Sequence, residues 1–173
     1  DAYAEANAEW AGALGWPLFR PLAPDDLHNL DGLRVPLDRG QAEFDNQVQA
    51  LAKVAIDSLN EKPIRKAAQE AGVVYGGGEK GIAKLDAYLD VTRFEAGRYG
   101  LDRSPAAWMK DVQWLRSASA AHRKESSFEK AVEHFKIEER GRPAVIRELL
   151  DEGRWVLLAL AQHADDALRG AVI

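Results

Sequence analysis

Apolar residues recur every three or four positions along most of this chain, and no apolar–polar alternation continues beyond four residues. The first spacing matches the turn of an α-helix, whereas strict alternation is typical of a half-buried strand. The pattern therefore predicts an all-α fold, a helical bundle of about 6–8 helices with a Pro-rich irregular N-terminal segment.

Two segments carry the most regular apolar stripes. One covers about residues 41–60, and the other covers about residues 143–169, which we predict to be a central or dimer-forming helix. The remaining predicted helices cover about residues 2–14, 63–72, 79–91 and 104–123, with shorter ones beginning near Pro24 and near Ser126.

Local signals mark several helix ends. Ser104 followed by Pro105 is typical of a cap and a first helical position, and Ser126 with Glu129 has the spacing of a capping box. The triplet Gly76-Gly77-Gly78 lacks both the glycine spacing and the Gly-Lys-Ser/Thr ending of a phosphate-binding loop. It is therefore interpreted as a turn.

Prolines and glycines are concentrated in residues 15–40, which predicts an irregular surface segment, with an extended piece at 33–37. Without a linker or an internal repeat, residues 1–173 are predicted to form a single helical domain. Within it, residues 41–169 form the helical core and residues 1–40 an N-terminal appendage.

Composition narrows the possible functions. The 173 residues are 46% hydrophobic and include no cysteine, which excludes disulfides, thiol nucleophiles and thiolate metal sites. No apolar stretch is long enough to cross a bilayer, so we expect a cytoplasmic protein without membrane contact. Since Met109 is the only methionine, we expect the chain to be cut from a longer protein with further domains as possible partners.

Charge disfavours one mode of nucleic-acid binding but permits another. A net charge of -5 argues against a protein that coats nucleic acid through a general positive field. The segment from Arg103 to Lys124, however, contains five basic residues and only one acidic residue, Asp111. This local surplus allows a limited RNA-binding surface.

Arg116 and His122 are the candidate catalytic pair in this basic segment. In RNA cleavage without a metal, an imidazole can move the proton of the 2′-hydroxyl while a guanidinium binds the phosphate with two nitrogens. On one regular helix the two side chains would be roughly 9 Å apart along the axis and about 120° apart around it. They converge only if the helix bends or ends between them, or if two copies meet in a dimer.

The segment from Leu115 to Lys124 resembles the signature helix of the HEPN superfamily, which has an Arg-x4-6-His motif. Residues 43–48 and 56–61 are also similar to bacterial proteins with a HEPN-like region, some of them linked to abortive infection. The resemblance covers about residues 41–169. It implies a small helical bundle that dimerises and cuts RNA without a metal or other cofactor, in a defence or toxin system.

On that resemblance, Arg116 and His122 are the catalytic residues, and the predicted substrate-binding residues are Ser117, Ser119, Arg123 and Lys124. This chain departs from the family at Ser117, where the family usually has Asn, Asp or His. The alternative is a non-catalytic module of a larger protein that self-associates, binds a partner or binds RNA or a nucleotide.

Simpler interpretations of the same residues stay open. His122 is compatible with a partly buried histidine, Arg116 with a packing or exposed arginine, and Ser117 and Ser119 with small residues that allow close helix contact. His163 beside Asp165 and Asp166 is interpreted as part of a solvated helix end rather than a metal site. The five tryptophans are interpreted as packing residues.

Overall fold

The computed structural model describes residues 2–37, 40–120 and 125–170, without the side chains of 120 and 125–127. The all-α prediction is confirmed: the described residues contain seven helices of at least ten residues, two shorter ones and no β-strand. The α-helices are α1 (Ala2–Leu14), α2 (Leu27–Asp31), α3 (Gln41–Ala52), α4 (Glu61–Glu70), α5 (Gly81–Val91), α6 (Pro105–Ala120), α7 (Glu125–His134), α8 (Ile137–Arg140) and α9 (Arg142–Leu168).

The chain divides into two compact units. Unit 1 contains the described residues of 1–21, 58–108 and 153–173, and unit 2 contains those of 22–57 and 109–152. Helices α6 and α9 therefore each contribute residues to both units. The prediction of a single domain with an N-terminal appendage remains a prediction, although residues 2–21 belong to unit 1.

Unit 1 is built around aromatic residues. Trp10 of α1 is fully buried, and its ring lies 5.4 Å from that of Trp16 and 5.9 Å from that of Tyr88. Helix α4 packs against α5 in the same unit. Gly153 of α9 leaves room for the Trp108 ring, since a Cβ there would lie 2.6 Å from Trp108 Cζ2. These contacts agree with the interpretation of Trp10 and Trp108 as packing residues.

Unit 2 has an apolar core that also contains the buried amide of Gln47. Phe44 and Val48 of α3 and Leu115 of α6 are buried. The side chain of Gln47 is also buried, and it accepts a hydrogen bond from the backbone N–H of Arg34 at 2.9 Å while donating to the carbonyl of Gly32 at 3.1 Å. This amide therefore ties the loop after α2 to α3.

Most predicted helix ends agree with the structure to within a few residues, because the signals at those ends are local. The Ser104 hydroxyl accepts a hydrogen bond from the backbone N–H of Ala107 at 3.2 Å, which is the expected cap of α6. By contrast, α7 begins at Glu125, so Ser126 lies within that helix rather than before it. The segment 33–37, predicted as an extended piece, is neither helix nor strand, and Leu37 is 90% exposed.

The largest departure from the predicted helices follows α3. The apolar stripe predicted one helix to about residue 60, but the α-helix ends at Ala52 and a π-helical turn occupies Lys53–Asp57. A π-turn bonds each residue to the fifth one along the chain and is frequent at functional sites. Val54 and Ala55 of this turn are buried, so the turn is anchored in the core.

None of the helices in the described residues has both the length and the apolar composition needed to cross a membrane.

Candidate functional site

Arg116 lies on the partly exposed side of α6. Its neighbours Leu115 and Ala118 are buried, whereas 29% of the Arg116 side chain is exposed. The helix thus directs Leu115 and Ala118 into the core and keeps the guanidinium at the surface. This position agrees with both uses predicted for Arg116, anion binding and packing.

The Arg116 guanidinium is bound to a carboxylate from a distant part of the chain. Its Nη1 donates a hydrogen bond to Oδ1 of Asp57 at 2.8 Å, across 59 residues of sequence. Among the described residues no other partner of this guanidinium is present, so Nε and Nη2 remain available. Arginine has five N–H donors, and one contact leaves enough of them for a bidentate bond to a phosphate.

Ser117 is exposed beside Arg116, but its hydroxyl is engaged by its own helix. It donates to the carbonyl of Gln113 at 2.8 Å and lies 3.3 Å from the amide nitrogen of the same residue. A serine hydroxyl has a single proton to donate. The hydrogen bond to the Gln113 carbonyl must therefore break before Ser117 can donate to a phosphate. Ser117 therefore needs a rotamer change to act as a donor.

Ser119 is 3% exposed, and its Oγ has no hydrogen-bond partner within the described ranges. A buried hydroxyl without a partner is unfavourable, and a small residue at such a position is typical of close helix packing. The burial of Ser119 agrees with that packing interpretation and argues against direct contact with substrate.

His122, Arg123 and Lys124 lie outside the described residues. The structure therefore places Arg116, Ser117 and Ser119 of the predicted site. Asp57 was not predicted as a site residue. In the sequence it is one polar residue among several outside the apolar stripe of the helix predicted over about residues 41–60, and no local signal links it to Arg116.

A second polar cluster lies in unit 1 around His163 of α9. The imidazole is fully buried, with Nε2 2.8 Å from Oγ1 of Thr92 and Nδ1 3.0 Å from the hydroxyl of Tyr99. The Tyr99 hydroxyl also donates to Oδ2 of Asp166 at 3.1 Å, and Arg98 pairs with that carboxylate. The interpretation of His163 as part of a solvated helix end is wrong, because this imidazole has no exposed surface.

Burial controls ionisation in this cluster. It lowers the pKa of His163 to about 4, opposed by the negative charge of Asp166 and assisted by the positive charge of Arg98. It also raises the pKa of Tyr99 to about 12, with further contributions in the same direction from Asp166. At neutral pH the cluster therefore holds a neutral imidazole and a neutral phenol.

The His163 cluster has the arrangement of a group that stabilises the fold rather than of a reaction centre. Both ring nitrogens are engaged and the ring has no exposed surface, so no substrate can reach it in this conformation. For the same reason neither nitrogen is free to bind a metal. Over the described part of the chain, no group of three His, Asp or Glu side chains is placed to hold a metal ion.

Comparison with known proteins adds no relative of this chain. No family model matches it, and no curated protein or solved structure matches it either. The resemblance to the HEPN superfamily therefore remains a prediction that rests on the residues around Arg116 and His122.

Proposed function

We propose that this chain is a HEPN-like endoribonuclease domain that cuts RNA without a metal, as a homodimer, in a defence or toxin system. The observation that supports the proposal best is the state of the Arg116 guanidinium. It is partly exposed, bound through Nη1 to Asp57, and has Nε and Nη2 without a partner among the described residues. A guanidinium bound on one side and open on the other is suited to a phosphate.

In the proposed reaction His122 acts as the general base. Its imidazole removes the proton of a 2′-hydroxyl, and the 2′-oxygen attacks the adjacent phosphorus while the bond to the 5′-oxygen breaks. The leaving 5′-oxygen takes up a proton from the imidazolium of the second copy. The products are a 2′,3′-cyclic phosphate and a 5′-hydroxyl, and Arg116 balances the charge that develops on the phosphate oxygens.

The other predicted site residues contribute to the proposed function in different ways. Arg123 and Lys124 add positive charge to a chain with a net charge of -5, which favours RNA at this segment. Ser117 contributes only after its hydroxyl leaves Gln113, and the buried Ser119 contributes to packing rather than to binding.

The direct test is RNA cleavage in EDTA by the purified protein and three variants. We expect the wild type to cleave, and Arg116→Ala and His122→Ala each to lose at least about 100-fold in rate. The matched control is Arg34→Ala, since Arg34 also donates to a carboxylate in unit 2, Glu43, at 2.8 Å. The proposal fails if folded wild type and both site variants leave the RNA equally intact.

The second candidate function is a non-catalytic module that self-associates through α9. It is favoured by Trp155 and Leu168, which are 61% and 63% exposed although both are large and apolar. They line a groove of about 700 Å³ in unit 1, together with small residues of α1 such as Gly12 and Ala13. Exposed apolar surface of this kind often marks an interaction site.

Sedimentation velocity tests this second function. We expect a concentration-dependent dimer for the wild type and a monomer for Trp155→Ala combined with Leu168→Ala. Val74→Ala is the control, because Val74 is 94% exposed in unit 1 but does not line the groove. A wild type that stays monomeric at all concentrations contradicts self-association and also the homodimer of the main proposal.

A further inference from the structure

The ion pair between Arg116 and Asp57 is built from two well-supported parts of unit 2. Arg116 follows the buried Leu115 on α6, and Asp57 is the last residue of the π-helical turn whose Val54 and Ala55 are buried. Both side chains are partly exposed, at 29% and 34%. The carboxylate therefore has a fixed support from which to hold a side chain that would otherwise sample many rotamers.

The carboxylate of this ion pair lies at the end of the π-turn. The sequence pattern continues as a regular α-helix to about residue 60, but the wider turn begins at Lys53 and ends at Asp57. An α-helix has backbone hydrogen bonds between residues four apart, whereas a π-turn has them between residues five apart. The side chains after Ala52 therefore point in other directions than they would on a regular α-helix. Asp57, the last residue of this irregular turn, is the residue that binds Arg116.

We propose that Asp57 is the positioning residue for Arg116 in the RNA-cleaving site, an inference that rests on the function proposed above. A bidentate bond to a phosphate requires two N–H groups of one guanidinium in a defined plane. Asp57 takes Nη1 alone, which fixes the guanidinium while Nε and Nη2 stay available. Asp57 acts through Arg116 and does not itself touch the RNA.

If Asp57 instead competed with RNA for Arg116, replacing Asp57 would have the opposite effect on activity. A carboxylate near a phosphate also repels it, and a carboxylate that competes for Arg116 would inhibit binding. Removing the charge of Asp57 would then raise activity. The sign of the effect of Asp57→Asn therefore decides between positioning and competition.

Steady-state RNA cleavage in EDTA is the first measurement. For Asp57→Asn we expect kcat/KM to fall roughly 10- to 100-fold, with KM rising and kcat falling together, because the guanidinium loses its alignment with the phosphate. Asp57→Glu, which keeps the charge, should recover most of the loss. A purely structural role would reduce the amount of active enzyme and leave KM unchanged.

Binding of a 2′-O-methyl RNA oligonucleotide, which lacks the attacking hydroxyl, is the second measurement. We expect Asp57→Asn to weaken binding about tenfold, with no further loss when it is combined with Arg116→Ala, because the two residues act as one unit. Glu43→Gln is the matched control, since it removes the carboxylate from the comparable pair with Arg34 in unit 2.

The two measurements separate the inference from the function on which it rests. If wild type binds the oligonucleotide but does not cleave RNA, the nuclease fails, and the double-mutant binding cycle still decides the role of Asp57. If Asp57→Asn binds and cleaves as well as wild type, or better, Asp57 is not a positioning residue. A wild type that neither binds nor cleaves overturns both.

Discussion

Two polar clusters in this molecule differ in how many of their hydrogen-bonding groups already have a partner. In unit 2, Arg116 binds Asp57 through one nitrogen and keeps 29% of its side chain exposed. In unit 1, His163 is fully buried and both of its ring nitrogens are engaged, by Thr92 and Tyr99. A group with spare donors at the surface can accept a ligand, whereas a saturated group in the core can only stabilise the fold. We therefore expect substitutions to separate activity from stability.

Replacing the buried imidazole should have the largest effect on stability. His163→Ala leaves a cavity and removes a partner from both Thr92 and Tyr99, so we expect the free energy of unfolding to fall by about 3–4 kcal/mol. Urea denaturation followed by circular dichroism measures this loss. The exposed Val74→Ala should change stability by less than about 0.5 kcal/mol. A His163→Ala protein as stable as wild type would contradict a stabilising role for the His163 cluster.

Acid should weaken the same cluster. The folded protein holds the pKa of His163 at about 4, below the ordinary value of 6.5, so the unfolded chain binds a proton that the folded chain does not. The stabilisation is present in full above pH 6.5 and is lost as the pH falls towards 4, up to roughly 3 kcal/mol.

Because carboxylates also titrate in this range, the measurement is a difference between two proteins. Urea denaturation of wild type and His163→Gln should be compared between pH 7 and pH 4.5. We expect the stability of wild type to fall more steeply than that of the variant. Parallel pH dependences would show that His163 does not keep a lowered pKa in the folded state.

Removing one hydroxyl from the cluster should have a smaller effect. Tyr99→Phe deletes the group that lies 3.0 Å from His163 Nδ1 and donates to Asp166. We expect a loss of about 1–2 kcal/mol in the free energy of unfolding, because the buried Nδ1 of His163 loses its partner while the partly exposed Asp166 keeps Arg98 and the ring packing remains. Thermal unfolding monitored by calorimetry tests this, and an unchanged midpoint would contradict it.

The smallest effect on stability is expected at Arg116. Partly exposed ion pairs contribute little, so Arg116→Ala should reduce the free energy of unfolding by less than about 1 kcal/mol, although RNA cleavage is expected to be lost. Chemical denaturation beside Arg34→Ala measures the difference. A loss of several kcal/mol would instead mark Arg116 as a structural residue and remove the contrast between the two clusters.

Several elements could be predicted because their signals are local. The structure places α1 at Ala2–Leu14, where an Ala-rich stripe ends before Gly15, and begins α6 at Pro105 after the Ser104 cap. The long stripe of about residues 143–169 corresponds to α9, Arg142–Leu168. Each of these depends on contacts within one helix turn or on the period of one stripe, and both can be read along the chain.

The candidate site was predictable only in part. The basic segment and the motif resemblance identified Arg116, but Asp57 lies 59 residues away and carries no pattern of its own. The π-turn was missed because its residues Lys53–Asp57 continue the same apolar period as α3. The exposure of Ser117 and the burial of Ser119 could not be predicted either, since two nearby serines on one helix differ in exposure according to what packs around them.

The order of apolar and polar residues is enough to specify that this chain is helical and where most helices begin and end, because helix formation depends on nearest neighbours and on caps. The pairing of Arg116 with Asp57 and the burial of His163 with Thr92 and Tyr99 come from chain segments tens of residues apart. Such partners are selected by packing in three dimensions. That packing leaves Nε and Nη2 of Arg116 available and gives both nitrogens of His163 a partner.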